Sequence, residues 1–423
     1  MKPSLKQLLL TTAIAATIAP VAAAQDNPFA RGRYIDVTER SQGEFDPQPV
    51  RAGGFDITSS VGVAAEYNDN IFAEPNNEDS DTILRATPRI LARSTWSVHE
   101  LEAGAEINHR EYTDFGDESS TDYNLFVNGR IDVTRDFQFR LGADTAHITE
   151  ERYAAASFGI NEAAEFDRSS VYALALYRND RIQIEGTVGA ADEQFVLRRM
   201  TNHRTEQLDQ LAQQLIRDNT QTYVNGRVSY AVSPDIAFFV QARRSELDYD
   251  DPGRDGTRTT MDAGVNFELA APIRGEIAIG NFSEERDAPT YGDVEGLNVA
   301  GNVKWFPTDL TTVTFIANRG VVDPGLATSA TAINTAFGIR VDHELLRNLL
   351  LFGNIRQENN AYEGSVIDRD DDALSVGLGG AYKLNPNMHL EFALTSRSQD
   401  SSGVNAGPDL DVNTISAGIR FFP

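Results

Sequence analysis

The 423-residue chain is 41% hydrophobic and 24% charged and has no cysteine, which excludes disulfide stapling and a lipoprotein anchor. Its net charge of −26 at pH 7 excludes nucleic acid as a partner, because the phosphates would repel it. Beyond the N-terminus no run of about 20 apolar residues occurs, so no inner-membrane helix is expected.

In chain order, Lys2 and Lys6 precede the apolar stretch "LLLTTAIAATIAPVAAA", which ends in small residues. A charged n-region, an apolar h-region and an A-x-A-like exit predict a secretory signal over 1–24, cleaved near Ala24. Residues 25–53 are polar, contain Pro and Gly and lack periodicity, which predicts a flexible periplasmic segment. It would be a tether or a contact for a periplasmic export component.

From Phe55 onward, segments of about 9–14 residues alternate apolar and polar side chains, as half-buried strands do. In "DYNLFVNGRIDV" the residues Tyr123, Leu125, Val127, Ile131 and Val133 share one face, and Asn124, Asn128, Arg130 and Asp132 the other. Eight very short links alternate with nine longer acidic ones, which joins eighteen strands. Strands this long, with one polar face throughout and no second layer to cover the other, predict a closed transmembrane antiparallel barrel over 54–423. It would be an all-β, up-and-down meander with short periplasmic turns and long outer loops. One long link, "HRTEQLDQLAQQLIRDN", spaces Leu208, Leu211, Leu215 and Ile216 helically, so a helical insertion is expected over 203–218.

Assigning the polar face to the interior gives candidate lumen-lining residues. They are Arg85, Arg89, Arg93, Glu102, Glu106, Arg110, Arg130, Asp132, Arg140, Glu185, Arg227, Asp262, Glu268, Arg340, Arg356, Glu391, Arg397 and Arg420. Over the whole inner face, which adds Arg243, Lys383, Glu66, Glu100, Asp144, Glu193, Glu276, Asp342 and Glu358, the signs roughly cancel, so these charges would either set a transverse field in a wet pore or simply pair across strands. On the apolar face Phe137, Tyr230, Trp305, Tyr382 and Phe421 lie near short turns or the C-terminus and form one aromatic girdle. Tyr67 and Tyr123 form a weaker second one. Outer-membrane lipid and lipopolysaccharide would be the surroundings.

The acidic links "DYDDPGRDG" and "IDRDDD" are read as solvated loops. Clustered carboxylates suit Ca²⁺, but neither completes an EF-hand pattern, and no metal or other cofactor is assigned. Among the six histidines His147, followed by Glu150 and Glu151, is the best candidate base. No G-x-S-x-G elbow and no H-E-x-x-H helix accompanies it, so no enzyme and no catalytic residue is expected. The chain ends on "NTISAGIRFFP", which alternates to its last residues. The final strand must therefore pair with the first, near Ile57, to close the cylinder.

The stretch "GVAAEYNDNIF", the alternating remainder and the terminal "AGIRFF" resemble the putative β-barrel porin 2 family over residues 55–423. The resemblance implies an outer-membrane barrel associated with exopolysaccharide export. The aromatic end also looks like the signal read by the barrel-insertion machinery, although Pro423 departs from the usual terminal aromatic residue. The alternatives are a general diffusion porin and a plugged structural or adhesive surface barrel.

Overall fold

The computed structural model describes residues 29, 31–158, 160, 163–196, 216–289, 291–326, 328–363 and 368–423. The expected signal segment and nearly all of the expected helical insertion lie outside the described residues. The strands are β1 (Val50–Ala52), β2 (Phe55–Asn68), β3 (Asp81–Ser94), β4 (Glu100–Tyr112), β5 (Ser120–Asp132), β6 (Phe137–Thr149), β7 (Glu165–Arg178), β8 (Ile182–Val196) and β9 (Asn219–Ser233). They continue as β10 (Ile236–Tyr249), β11 (Gly256–Glu268), β12 (Ile273–Arg286), β13 (Val294–Thr308), β14 (Thr311–Val322), β15 (Thr331–Leu346), β16 (Leu349–Glu363), β17 (Asp370–Asn385), β18 (Met388–Ser402) and β19 (Leu410–Phe421). From β2 to β19 every strand pairs antiparallel with the next, giving a closed 18-stranded meander. The short β1 is an appendage on the lower part of β2, where Val50 faces Ile57.

Closure is made by β19 on β2, in register from Thr414 opposite Asn68 to Phe421 opposite Val61. The alternation at the C-terminus thus has a structural cause: a frayed last strand would leave two sheet edges unpaired, and in hydrocarbon such groups have no water to bond. Short links are built by side chains that stand in for backbone. Asn179 Oδ1 accepts from the amides of Arg181 and Ile182, and Asn385 Oδ1 accepts from Asn387, as Asx turns do.

The distribution of exposure is inverted relative to a water-soluble protein. Val188, Val240 and Met261 point outward and are 56%, 59% and 62% exposed, whereas Asn266 and Glu284 point inward and are fully buried. That is the pattern of a cylinder in lipid. Inward glycines carry flat aromatic rings from the neighbouring strand. A Cβ on Gly142 would lie 2.1 Å from the Tyr172 ring, and one on Gly189 2.6 Å from the Tyr223 ring.

Candidate functional site: the constricted bore

By strand parity the eighteen candidate lumen residues fall on the face opposite the outward-exposed apolar side chains. On one side they form direct ion pairs, most of them across strands, where opposite charges stabilise a sheet. Arg85 Nη2 lies 3.1 Å from Glu66, Arg93 Nε lies 2.7 Å from Glu102, and Arg89 pairs with Glu106. Arg130 reaches Glu100 at 2.9 Å and Asp132 at 3.2 Å. Arg140 stands opposite Arg130 and is exposed in the bore.

Elsewhere several inner charges are held in pairs, some of them buried. Arg227 is 4% exposed, bonds Glu276 at 2.7 Å and Asn266 at 3.0 Å, and stacks 3.6 Å over the Phe239 ring. Glu185 accepts from the Gln183 amide. Arg340 grips Asp342 at 2.8 Å over Phe352. Arg356 lies 3.5 Å from Glu358, and Arg420 lies 2.8 Å from Glu391. Asp262 accepts from the Asn298 amide at 2.7 Å.

At the long-link end, the outer end by the usual asymmetry of such barrels, two links turn inward. The first joins β6 to β7. Its Glu150 accepts from Arg217 Nη1 at 3.0 Å, and Glu151 lies 3.4 Å from Arg110, which also reaches Asp122 at 3.2 Å. Arg152 Nε donates to Glu118 at 2.9 Å. Tyr153 and Phe158 pack against Ala73, Leu410 and Val412, and Arg397 lies 4.3 Å from the Tyr153 ring. The link therefore spans from β6 to the wall of β18 and β19. Burial pushes the Tyr153 phenol well above its ordinary pKa, so it stays neutral.

The second inward link joins β14 to β15. β14 leaves its register with β13 above the pair Val299–Arg319, and Val321 and Ile333 then pack on Phe282 and Val294. Arg254, fully buried, donates to Asp323 at 2.7 Å and to the Leu326 carbonyl at 3.0 Å. The Tyr249 hydroxyl donates to Asp323 at 2.8 Å, Arg286 donates to the Ala330 carbonyl at 2.9 Å, and Thr331 donates to Glu284 at 2.7 Å. Glu284 also pairs with Arg258 at 2.5 Å. Burial raises the Asp323 pKa, but Arg254 and Arg217 outweigh it and hold the carboxyl below its usual range. Between these links and the wall lies a cavity of about 300 Å³.

At the opposite mouth the segment from Arg31 to Pro49 crosses the inner wall instead of hanging free. The amides of Gly32 and Arg33 donate to Glu268 at 3.1 and 2.7 Å. Tyr34 stacks on Phe306 at 5.3 Å, Lys304 Nζ lies 2.8 Å from Asp36, and the Val37 amide donates to Thr312 at 3.0 Å. Lys383 donates to Gln42 at 2.6 Å. The segment is irregular, as its composition predicts, and its described part is tied to the wall by these contacts. Its partners lie more than 200 residues away in the chain, out of reach of any local pattern. Burial raises the Asp36 pKa, and Lys304 with the hydrogen bond it donates lowers it further than burial lifts it.

The aromatic candidates Tyr230, Trp305, Tyr382 and Phe421 are exposed on the outer face, and Phe137 lies beside them, edge-on to Phe139. Tyr67 and Tyr123 are exposed outward at the far end. Tyr172 points inward and donates to Asn128, while Tyr177 points outward. His147 also points outward, stacked on Tyr123 and 2.8 Å from Asp167, away from the bore. In the link "DYDDPGRDG" Asp248 and Asp250 are exposed, as a solvated acidic loop requires, while Asp251 caps a short 3-10 turn, Asp255 accepts from the Tyr249 amide, and Arg254 is the anchor described above. In the other acidic link Asp371 is taken by Arg369, Tyr362 and Ser401. Among the described residues no group of three or more His, Cys, Asp or Glu is placed to hold a metal ion.

A family model described as Putative beta-barrel porin 2 matches residues 42–422. The chain belongs to this family. This porin-family barrel is therefore of the outer-membrane, porin-like type. Among solved structures it is similar to OpdK of Pseudomonas aeruginosa with vanillate, at 10% identity and a TM-score of 0.48, over 87% of this chain and 99% of that one. OccK3 (OpdO) of Pseudomonas aeruginosa matches at 12% identity and a TM-score of 0.46, over 86% and 96%. A BenF-like porin from Pseudomonas fluorescens Pf-5 matches at 10% and 0.47, over 87% and 99%. No curated protein matches significantly.

Proposed function

We propose that this barrel is a narrow passive pore for small polar solutes across the outer membrane, reached after removal of residues 1–24 as an export signal. One observation carries the reading: the β6–β7 and β14–β15 links fold inward and leave a cavity of about 300 Å³ walled by charges of both signs. Barrels of this strand number are otherwise wide enough for an aqueous channel, so the links set the size limit. Lipid and lipopolysaccharide would meet the outer face, and the insertion machinery the final strand. No catalytic role is proposed.

Export of exopolysaccharide, which the family resemblance implies, needs a wider path. It would require the β6–β7 link to swing out from Arg397 and Arg217. Planar bilayers separate the readings. The pore reading expects small steady steps from the mature protein, together with uptake of small solutes that falls on gene deletion. Absence of steps would favour a plugged structural barrel. Steps that appear only after deletion of the 150–164 link, with loss of surface polysaccharide in the deletion strain, would favour a gated exporter.

A further inference from the structure

We propose that the cavity is a recognition station for a small solute carrying an oxyanion group, so that the pore selects anions although the chain as a whole is strongly acidic. The proposal deepens the pore reading and rests on it. Most charged side chains around the cavity have an opposite partner within the ion pairs described above. Among the described residues, three arginines lining it have no carboxylate partner. Arg243, on β10, stacks 4.1 Å over the Tyr223 ring and donates only to the Ser245 hydroxyl, at 3.3 Å. Arg319, on β14, donates only to the Thr335 hydroxyl, at 2.8 Å. Arg397, on β18, reaches Gln399 at 3.0 Å and Ser375 at 3.4 Å and lies against Tyr153.

Among the described residues, one carboxylate of the lining stands against these three without a cationic partner, Asp262, which is held by the Asn298 amide. All four residues line the same cavity, from strands on different parts of the wall, so the imbalance is a property of the space and not of one loop. A guanidinium held flat on a ring, with neutral acceptors on one edge, keeps donors available for a carboxylate, sulfonate or phosphate in bidentate geometry. The cavity focuses that field, because its low-dielectric walls screen less than bulk water. The net charge of −26 leads to the opposite expectation, cation preference, and this makes the proposal sharp.

The test uses the full mature barrel in planar bilayers under a potassium chloride gradient. The reversal potential is expected to give a chloride-to-potassium permeability ratio above one. The triple variant Arg243→Gln, Arg319→Gln, Arg397→Gln should lower that ratio by roughly threefold or more through loss of the fixed positive field, and Asp262→Asn should raise it. The double variant Arg243→Gln, Arg319→Gln leaves the anchors of both links intact and should move the ratio in the same direction as the triple. Cation preference in the wild type, or a ratio that the triple variant does not move, overturns the proposal with the pore reading intact. A barrel that does not conduct overturns the pore reading, and titration of the detergent-solubilised protein with benzoate then decides. Binding that weakens roughly tenfold in the double variant supports the oxyanion station; no binding, or binding the variant retains, removes it.

Discussion

Arg254→Ala should open the outer mouth without unfolding the barrel. The side chain is fully buried and is the main clasp of the β14–β15 link, through Asp323 and the Leu326 carbonyl. Tyr249 and Tyr291 lie within 5.2 and 5.8 Å of its guanidinium. Removing one partner of a buried ion pair costs about 3–5 kcal/mol. Here Asp323 keeps 27% of its side chain exposed and retains the Tyr249 hydroxyl and the Gly325 amide. The lower figure of about 2–3 kcal/mol is therefore appropriate. At about 1.4 kcal/mol per factor of ten, the open form of the link gains roughly 30- to 150-fold in population. The strands below keep their own ladders, so heat-modifiable migration on a gel should stay that of a folded barrel. Single-channel recordings should show larger or more frequently open steps than the wild type. Unchanged conductance in a folded variant would refute the idea that this link sets the aperture, and loss of the folded band would refute its independence from the wall.

The clasp should also respond to acid. Asp323 has a native pKa below its unfolded value of about 3.9, so its stabilisation is complete above that value and is lost as the pH falls through the native one. Asp36 follows the same sign at the other mouth. Conductance should therefore rise below about pH 4, and a flat response from pH 7 to pH 3 would argue against both clasps. Glu268→Ala leaves the amides of Gly32 and Arg33 without their acceptor, at a cost of about 1–3 kcal/mol. Tryptic cleavage at Arg33 and Arg40 in the folded protein should then accelerate, and equal rates would mean that the segment is held elsewhere. Val188→Arg, outward in mid-strand, should destabilise the barrel in lipid by about 2–4 kcal/mol, and the inward Asn225→Arg by clearly less. Equal losses in denaturant unfolding would contradict the assignment of the lipid face.

Much of the fold was legible because the barrel writes its two environments into a period of two. Outward Val188 and inward Glu185 differ by an odd number of residues, and that parity survives errors of a few residues at strand ends. The same rule was available for His147, which shares parity with Tyr123's face across the register pair Tyr123–His147. Reading it as a candidate base weighed the nearby Glu150 and Glu151 above the alternation. Strand count followed from the link lengths, and closure from the last strand, since neither depends on any long-range contact.

What occupies the bore was not legible, and the reason is physical. The acidic and aromatic residues of the β6–β7 link sit in a stretch that reads as a polar loop, yet Glu150, Glu151 and Tyr153 are the counterparts of Arg217, Arg110 and Arg397. A loop that neutralises a wall charge and a loop that projects into solvent have the same composition. Only the pairing, which is set by three-dimensional closure, tells them apart. The same ambiguity explains why summing inner-face charges gave near balance while the cavity itself is not balanced. The pairs cancel locally, and the field felt by a solute comes from the few cations whose partners are neutral hydroxyls, amides and rings. In the proposed pore, selectivity would follow the charges left without an ionic partner around the cavity, and not the total the chain carries.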